Sequence, residues 1–266
     1  MCRVSFKFDM GRRWSSGLLW EEAQKRVEEI HGPGSRSLGI VTWSDGLQFA
    51  RTHEMNMDVV CAGVAGLHEE VIKKDDFAIH MGWRANLFLP KRMKLKDKAT
   101  AAKVKVFQQS MYLILKDMRR LEKEGMLLDV GLLGVPVWKR FYPVWLKHPC
   151  DIKEAHAVLG IRSGSKAKCP HLFAEVPQQL FATHSYADVT EDIKFPMRTE
   201  VRHVENLLEA RKQKTKKKVN DVLMKHSIKN YLPAVFGFQI CMFTKLTVSD
   251  VLHNENNGLL VHKNNC

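Results

Sequence analysis

The chain has 266 residues, 45% hydrophobic and 27% charged, enough for one large domain or two small ones around a sizeable core and too apolar for a disordered polymer. Forty-two basic residues against twenty-nine acidic ones leave a formal charge of +13. No run of 18 apolar residues occurs, because the nearest approach, 232–243, is broken by Pro233, Gly237 and Gln239, so no membrane-spanning helix is expected.

The six cysteines, Cys2, Cys61, Cys150, Cys169, Cys241 and Cys266, are scattered and form no dense framework, which fits free thiols in a reducing compartment. Arg3, Lys7, Arg12 and Arg13 face only Asp9 in the first twenty residues. Such a start fits an ordinary basic N-terminus or, more weakly, an organelle transit segment. The positive charge is segregated. Residues 84–120 hold eleven Lys/Arg and two Asp, residues 138–168 seven cations and two acids, and residues 194–229 eleven cations and four acids. The remainder of the chain is net negative, a distribution suited to a polyanion-binding surface.

In chain order, Val4, Phe6 and Phe8 alternate with polar residues and predict a half-buried strand at 2–8. A helix is expected over 16–30, capped by Ser16, faced by Leu19, Ala23, Val27 and Ile30, and stopped by His31-Gly32-Pro33-Gly34. Asp45-Gly46 between the apolar runs 38–43 and 47–51 predicts a hairpin turn. Val60, Val64, Leu67 and Val71 predict a helix at 56–74, and 77–89 reads as extended up to Pro90. The strongest periodicity lies at 97–124. There Val104, Phe107, Met111, Ile114, Met118 and Leu121 repeat at heptad spacing as a seam for a core or a partner helix, while Lys98, Lys105, Lys116 and Arg120 fall on the opposite side. Residues 126–149 read as irregular and aromatic. A short helix at 151–159 opens with an Asp151–Glu154 capping box and stops at Gly160, and another is expected at 177–184.

After Pro196, the face Met197, Val201, Val204 and Leu208 resumes in phase at Val219 and Val222 across the cationic stretch 211–218, which predicts one continuous long helix. Phe236, Phe238, Ile240, Met242, Leu246 and Val248 are strand candidates. The expected fold is α+β, with two long amphipathic helices, several shorter ones and a small antiparallel sheet. The chain 1–266 is read as one compact unit without an internal boundary, allowing an N-terminal α/β part at 1–90 and a helix-rich part at 91–266.

Four groups of residues bear on function. The pair His148-Pro149-Cys150 and Cys169-Pro170-His171 offers two imidazoles and two sulfurs for zinc, although one residue between ligands is tighter than structural zinc sites prefer, so unconnected loop residues are the leading reading. Gly160 to Lys166 lacks the terminal Gly-Lys-Ser/Thr of a nucleotide loop, yet Arg162, Ser163, Ser165, Lys166 and Lys168 are suited to holding one phosphate of a longer polyanion. Lys139 and Arg140 sit in an aromatic-basic stretch from Trp138 to Lys147 that suits stacked bases, anionic headgroups or plain core packing. Arg211, Lys212, Lys214, Lys216, Lys217 and Lys218 form the densest cationic cluster.

No nucleophile with its base, no second histidine four residues beyond His68, and no strand leading into Gly63 and Gly66 points to an enzyme or a cofactor. The expectation is therefore a non-catalytic, RNA-contacting structural subunit of a large organellar assembly of the mitochondrial ribosome type. An accessory subunit of an inner-membrane complex, packed on partner helices and anionic lipid, is the alternative. A nucleic-acid-processing enzyme comes third, and residence in the cytoplasm is the fallback to the mitochondrion.

Overall fold

The computed structural model describes residues 18–48, 56–65, 78–85, 96–131, 135–150, 152–163, 167–172, 174–181, 195–240 and 247–249. Their elements are α1 (Leu18–His31), β1 (Arg36–Gln48), β2 (Asn56–Val64), β3 (Ile79–Ala85), α2 (Lys96–Ile114), α3 (Lys116–Glu124), β4 (Met126–Asp129), β5 (Trp138–Cys150), α4 (Ile152–Val158), α5 (Gln178–Phe181), α6 (Glu200–Arg211), α7 (Lys216–Lys225) and β6 (Thr247–Ser249).

The sheet corrects the expected fold. It is neither small nor antiparallel throughout: its order is β3-β2-β1-β5-β4, with β6 also on β5. The β1–β2, β2–β3 and β4–β5 pairs are antiparallel, whereas β1–β5 and β5–β6 are parallel. The Asp45-Gly46 pair does not turn. It continues β1, facing Val59 and Asp58 across the ladder, which runs on to Gln48 opposite Asn56. The described part of the helix expected at 56–74 is strand β2, with 66–74 outside the described residues. Val60, Ala62 and Val64 satisfy a period of two while Val60 and Val64 also fit helical spacing, and Val59, Val60 and Val64 are β-branched.

The stretch at 138–150, read as irregular, is the thirteen-residue strand β5. Pro143 and Pro149 argued against a central strand, since proline withholds a ladder N–H. Tyr142 to Leu146 are buried in succession. Trp145 joins Met111, Leu115, Met118 and Phe238 on one side, while Val144 and Leu146 join Ala23 and Val27 of α1 on the other. A strand covered on both faces shows no alternation in sequence.

Gly39 of β1 lets α1 approach closely, since a Cβ there would stand 2.3 Å from the Trp20 ring. Gln24 ties the same helix to β1: its Oε1 accepts from the Ser37 backbone N–H at 2.9 Å and its Nε2 donates to the Ser35 carbonyl at 2.7 Å. The expected single helix at 97–124 is two segments, α2 and α3, meeting at the fully buried Leu115. Its seam is occupied by the chain's own core. Met111 and Met118 are buried, and Phe107 and Ile114 pack on the same cluster.

The second long helix is likewise two, α6 and α7, each capped by a threonine: Thr199 Oγ1 accepts from Arg202 N at 3.1 Å and Thr215 Oγ1 from Lys218 N at 3.3 Å. The face expected to be buried is split: Met197, Val201 (67%) and Leu208 (51%) are exposed, whereas Val204, Val219 and Val222 pack on core clusters, and His203, Asn206, Leu207 and Ala210 face inward. Phe236, Phe238 and Ile240 are buried as expected of alternating positions, but 234–240 runs in turns rather than as a strand. Glu122, itself fully buried on α3, holds that segment by accepting the backbone N–H groups of Gln239 at 2.8 Å and Ile240 at 2.9 Å. Burial pushes the Glu122 carboxyl above its ordinary pKa, against the pull of those two donors. The first expected strand (2–8), Ser16, Asp151, Met242 and Leu246 lie outside the described residues.

Candidate functional site

The strands β1 and β5 run parallel, and their carboxyl ends, with the first turn of α4, gather a buried polar cluster. Parallel strands of open α/β sheets present ligand sites at this end. Arg84 of β3 is its hub. Only 5% exposed, it donates from Nη2 to Asp58 Oδ2 at 2.6 Å and from Nε to the same oxygen at 2.9 Å. Its Nη1 donates to Glu154 Oε1. The guanidinium lies 4.5 Å from the centroid of the Phe107 ring, so α2 roofs the cluster. Ser44 Oγ donates to the same Glu154 oxygen at 2.6 Å.

Beside them, His148 is wholly buried. Its Nδ1 stands 2.8 Å from Thr42 Oγ1, which also accepts the Trp145 indole N–H at 2.8 Å. His148 Nε2 faces Glu154 Oε1 at 3.5 Å, a charge-pair separation without a well-formed hydrogen bond, and this nitrogen makes no other contact of that kind among the described residues. Cys150 Sγ completes the group, and the ligating atoms of His148, Cys150 and Glu154 all lie within 4.8 Å of one another.

Electrostatics explain how four charge-capable side chains share this interior. Burial alone would raise the Glu154 pKa, but His148 and Arg84 outweigh it and hold the carboxyl far below the usual carboxylate range. Burial would lower that of Arg84, and Glu154 and Asp58 more than reverse it. Each charge exists here because the others do.

The sequence-derived zinc quartet is divided by the fold. His148 and Cys150, two apart on β5, share one face of the strand and meet Glu154. Cys169 and His171 belong to another network, built around Arg198. That arginine is 4% exposed and donates Nε to the His171 carbonyl at 2.9 Å, Nη1 to the His226 carbonyl at 2.9 Å, and Nη2 to the Cys169 carbonyl. Beside it, Glu175 accepts from Arg202 at 2.9 Å and lies 3.1 Å from His226 Nδ1. Glu154, expected in a capping box with Asp151, which lies outside the described residues, meets Arg84, Ser44 and His148.

Of the expected polyanion contacts, Lys105, Lys116, Lys168, Arg211, Lys212, Lys214, Lys216, Lys217 and Lys218 are exposed, and no ion pair joins any of them to a described acid. Arg120 is exposed but pairs with Asp117 at 3.6 Å and Glu124 at 3.4 Å. Lys139 and Arg140 line an open cavity of about 380 Å³ with Arg36 and Tyr142, and Arg140 also donates to the Glu124 carbonyl at 3.2 Å. Arg162 is turned onto the Ile228 carbonyl at 2.8 Å. Lys166 and the Lys98 side chain lie outside the described residues. Dense basic segments thus include interior staples, Arg84 and Arg198 among them, which composition alone counts as surface.

The polar cluster itself went unread in the sequence. Its members come from β1, β2, β3, β5 and α4, and the Arg84 partners are 26 and 70 residues away. Only the local spacing His148-x-Cys150 carried a signal. No family model matches the chain, and no curated protein matches it either. No helix among the described residues is long and apolar enough to cross a membrane.

Proposed function

We propose that this chain contacts nucleic acid through its phosphate backbone, gripping it with the α6–α7 turn, and serves as a structural subunit of a larger RNA-containing assembly. The observation that carries this reading is the state of six cations at that turn: Arg211, Lys212, Lys214, Lys216, Lys217 and Lys218 are all exposed, and none is matched to a described carboxylate. Three of them open α7, where the backbone N–H groups of a helix start add positive potential. Such a surface holds phosphates and fixes orientation without reading bases.

The organellar setting rests on the +13 charge and the scattered cysteines. The lipid-contacting alternative loses much of its support, because Tyr142 to Leu146 of the aromatic-basic stretch are buried and only its first residues, such as Trp138, are exposed.

Binding to a labelled single-stranded RNA across a salt series tests the reading. Neutralising about six phosphates gives a log–log slope of roughly −4 to −5, and the triple change Lys216→Gln, Lys217→Gln, Lys218→Gln lowers its magnitude by about 2 to 3. A wild-type protein that does not bind, or a slope indifferent to the three substitutions, overturns it. The cluster at the carboxyl ends of β1 and β5 favours a second reading, an enzyme acting on nucleic acid. Strand cleavage that disappears in Glu154→Gln while RNA affinity persists would replace the first reading by the second.

A further inference from the structure

We infer that His148, Cys150 and Glu154 form a binding site for a thiophilic divalent transition metal of the zinc class, independently of whether the chain binds nucleic acid. Three observations converge. A nitrogen, a sulfur and a carboxylate, the donor set that zinc accepts, lie within 4.8 Å of one another. His148 Nε2 is buried, makes no well-formed hydrogen bond to any described residue, and is turned toward Glu154 Oε1 at 3.5 Å, so its ring nitrogen and that carboxylate already face a common point. The opposite ring nitrogen is held at 2.8 Å by Thr42 Oγ1, the outer contact that orients a ligating imidazole.

The local structure supplies the convergence. Positions 148 and 150 point to the same side of β5, and α4, beginning at Ile152, brings residue 154 back to them. Charge favours the same occupant. With Cys150 as thiolate, the three anions Asp58, Glu154 and Cys150 against the one cation Arg84 leave a net charge of −2, which a divalent ion neutralises. Binding expels the thiol proton to solvent and places the His148 proton on Nδ1, where it donates to Thr42 Oγ1. Three protein donors leave a fourth tetrahedral position for water or for an incoming ligand atom.

Cobalt(II) titration of the reduced, full-length protein reads the site directly. The expected result is one equivalent bound, with the visible bands of tetrahedral cobalt and a thiolate-to-cobalt charge-transfer band. Cys150→Ser abolishes the charge-transfer band, His148→Ala weakens binding by more than tenfold, and Thr42→Val weakens it about tenfold. Cys169→Ser leaves the spectrum unchanged. Far-ultraviolet circular dichroism checks that each variant is folded. Should His148→Ala not fold, the conservative Cys150→Ser carries the test. Absence of cobalt uptake, or a thiolate band that survives Cys150→Ser or vanishes in Cys169→Ser, overturns the assignment.

Discussion

Arg84 is the residue on which the polar interior turns. Two carboxylates taken out of water are tolerated because one guanidinium satisfies both, with Asp58 on the neighbouring strand and Glu154 on a distant helix. Removing the cation alone leaves two largely buried anions without their shared partner. Arg84→Met is therefore expected to cost about 3–5 kcal/mol in urea unfolding. Adding Asp58→Leu to it should recover part of the loss, since the second change removes an anion left without its partner. A single-variant loss below about 1 kcal/mol would mean that water screens the network. The pH response follows from the depressed Glu154 carboxyl: its stabilisation is complete above the unfolded value of about 4.3 and is lost as acid drives the folded group to protonate. None of this was visible in the chain's residue order. Asp58 and Arg84 belong to no motif, Glu154 reads only as half of a capping box, and tertiary pairing alone makes the three neighbours.

Elements were legible where one local rule acted unopposed and were misread where two rules competed. The α1 helix, with Ala23 and Val27 inward and a glycine-containing stop, follows the expected pattern, although Ile30 at its end is 47% exposed. The α6–α7 break shows the competition. Apolar residues stay in phase from 197 to 222, yet Thr215 Oγ1 accepts the Lys218 N–H and starts a second helix, which folds back so that Leu223 meets Leu207 and Ala210. A side-chain cap at the right place outweighs continuity of phase. Thr215→Ala is expected to lower the unfolding free energy by about 1 kcal/mol, with Thr215→Asn close to wild type. An unchanged Thr215→Ala protein would show the break to be set by packing of the helix pair rather than by the cap. In β5 the opposing rule was proline: two of them masked a strand that is covered on both faces.

At the scale of the molecule, mixed α+β character and a substantial core could be inferred from composition, whereas the parallel pairing of β1 with β5 could not, because it joins segments about a hundred residues apart. Charge segregation was visible too, but not that Arg84, Arg119 and Arg198 turn inward and only part of the cationic count reaches solvent. The whole fold should also respond to mild acid. His203 is 4% exposed and is pushed down to about 4, first by burial and then by the nearby charge of Arg198. An unfolded histidine binds its proton near 6.5, so the unfolded state gains protons first. Stability is then full above pH 6.5 and falls by up to about 3 kcal/mol as the pH drops toward 4. His203→Gln should flatten urea-midpoint profiles across that window, leaving a smaller slope from His171, which burial also lowers. A profile as steep as wild type would remove His203 as the source.

The two-sided use of β1 bears on how the chain emerges from the ribosome. Its later half can zip onto β2, which begins at Asn56, but the edge at Arg36 to Val41 waits for Phe141 to Lys147. During synthesis a growing polypeptide therefore carries an open, adhesive strand margin for most of the first half of its length, the interval in which a chaperone would have the most to shield.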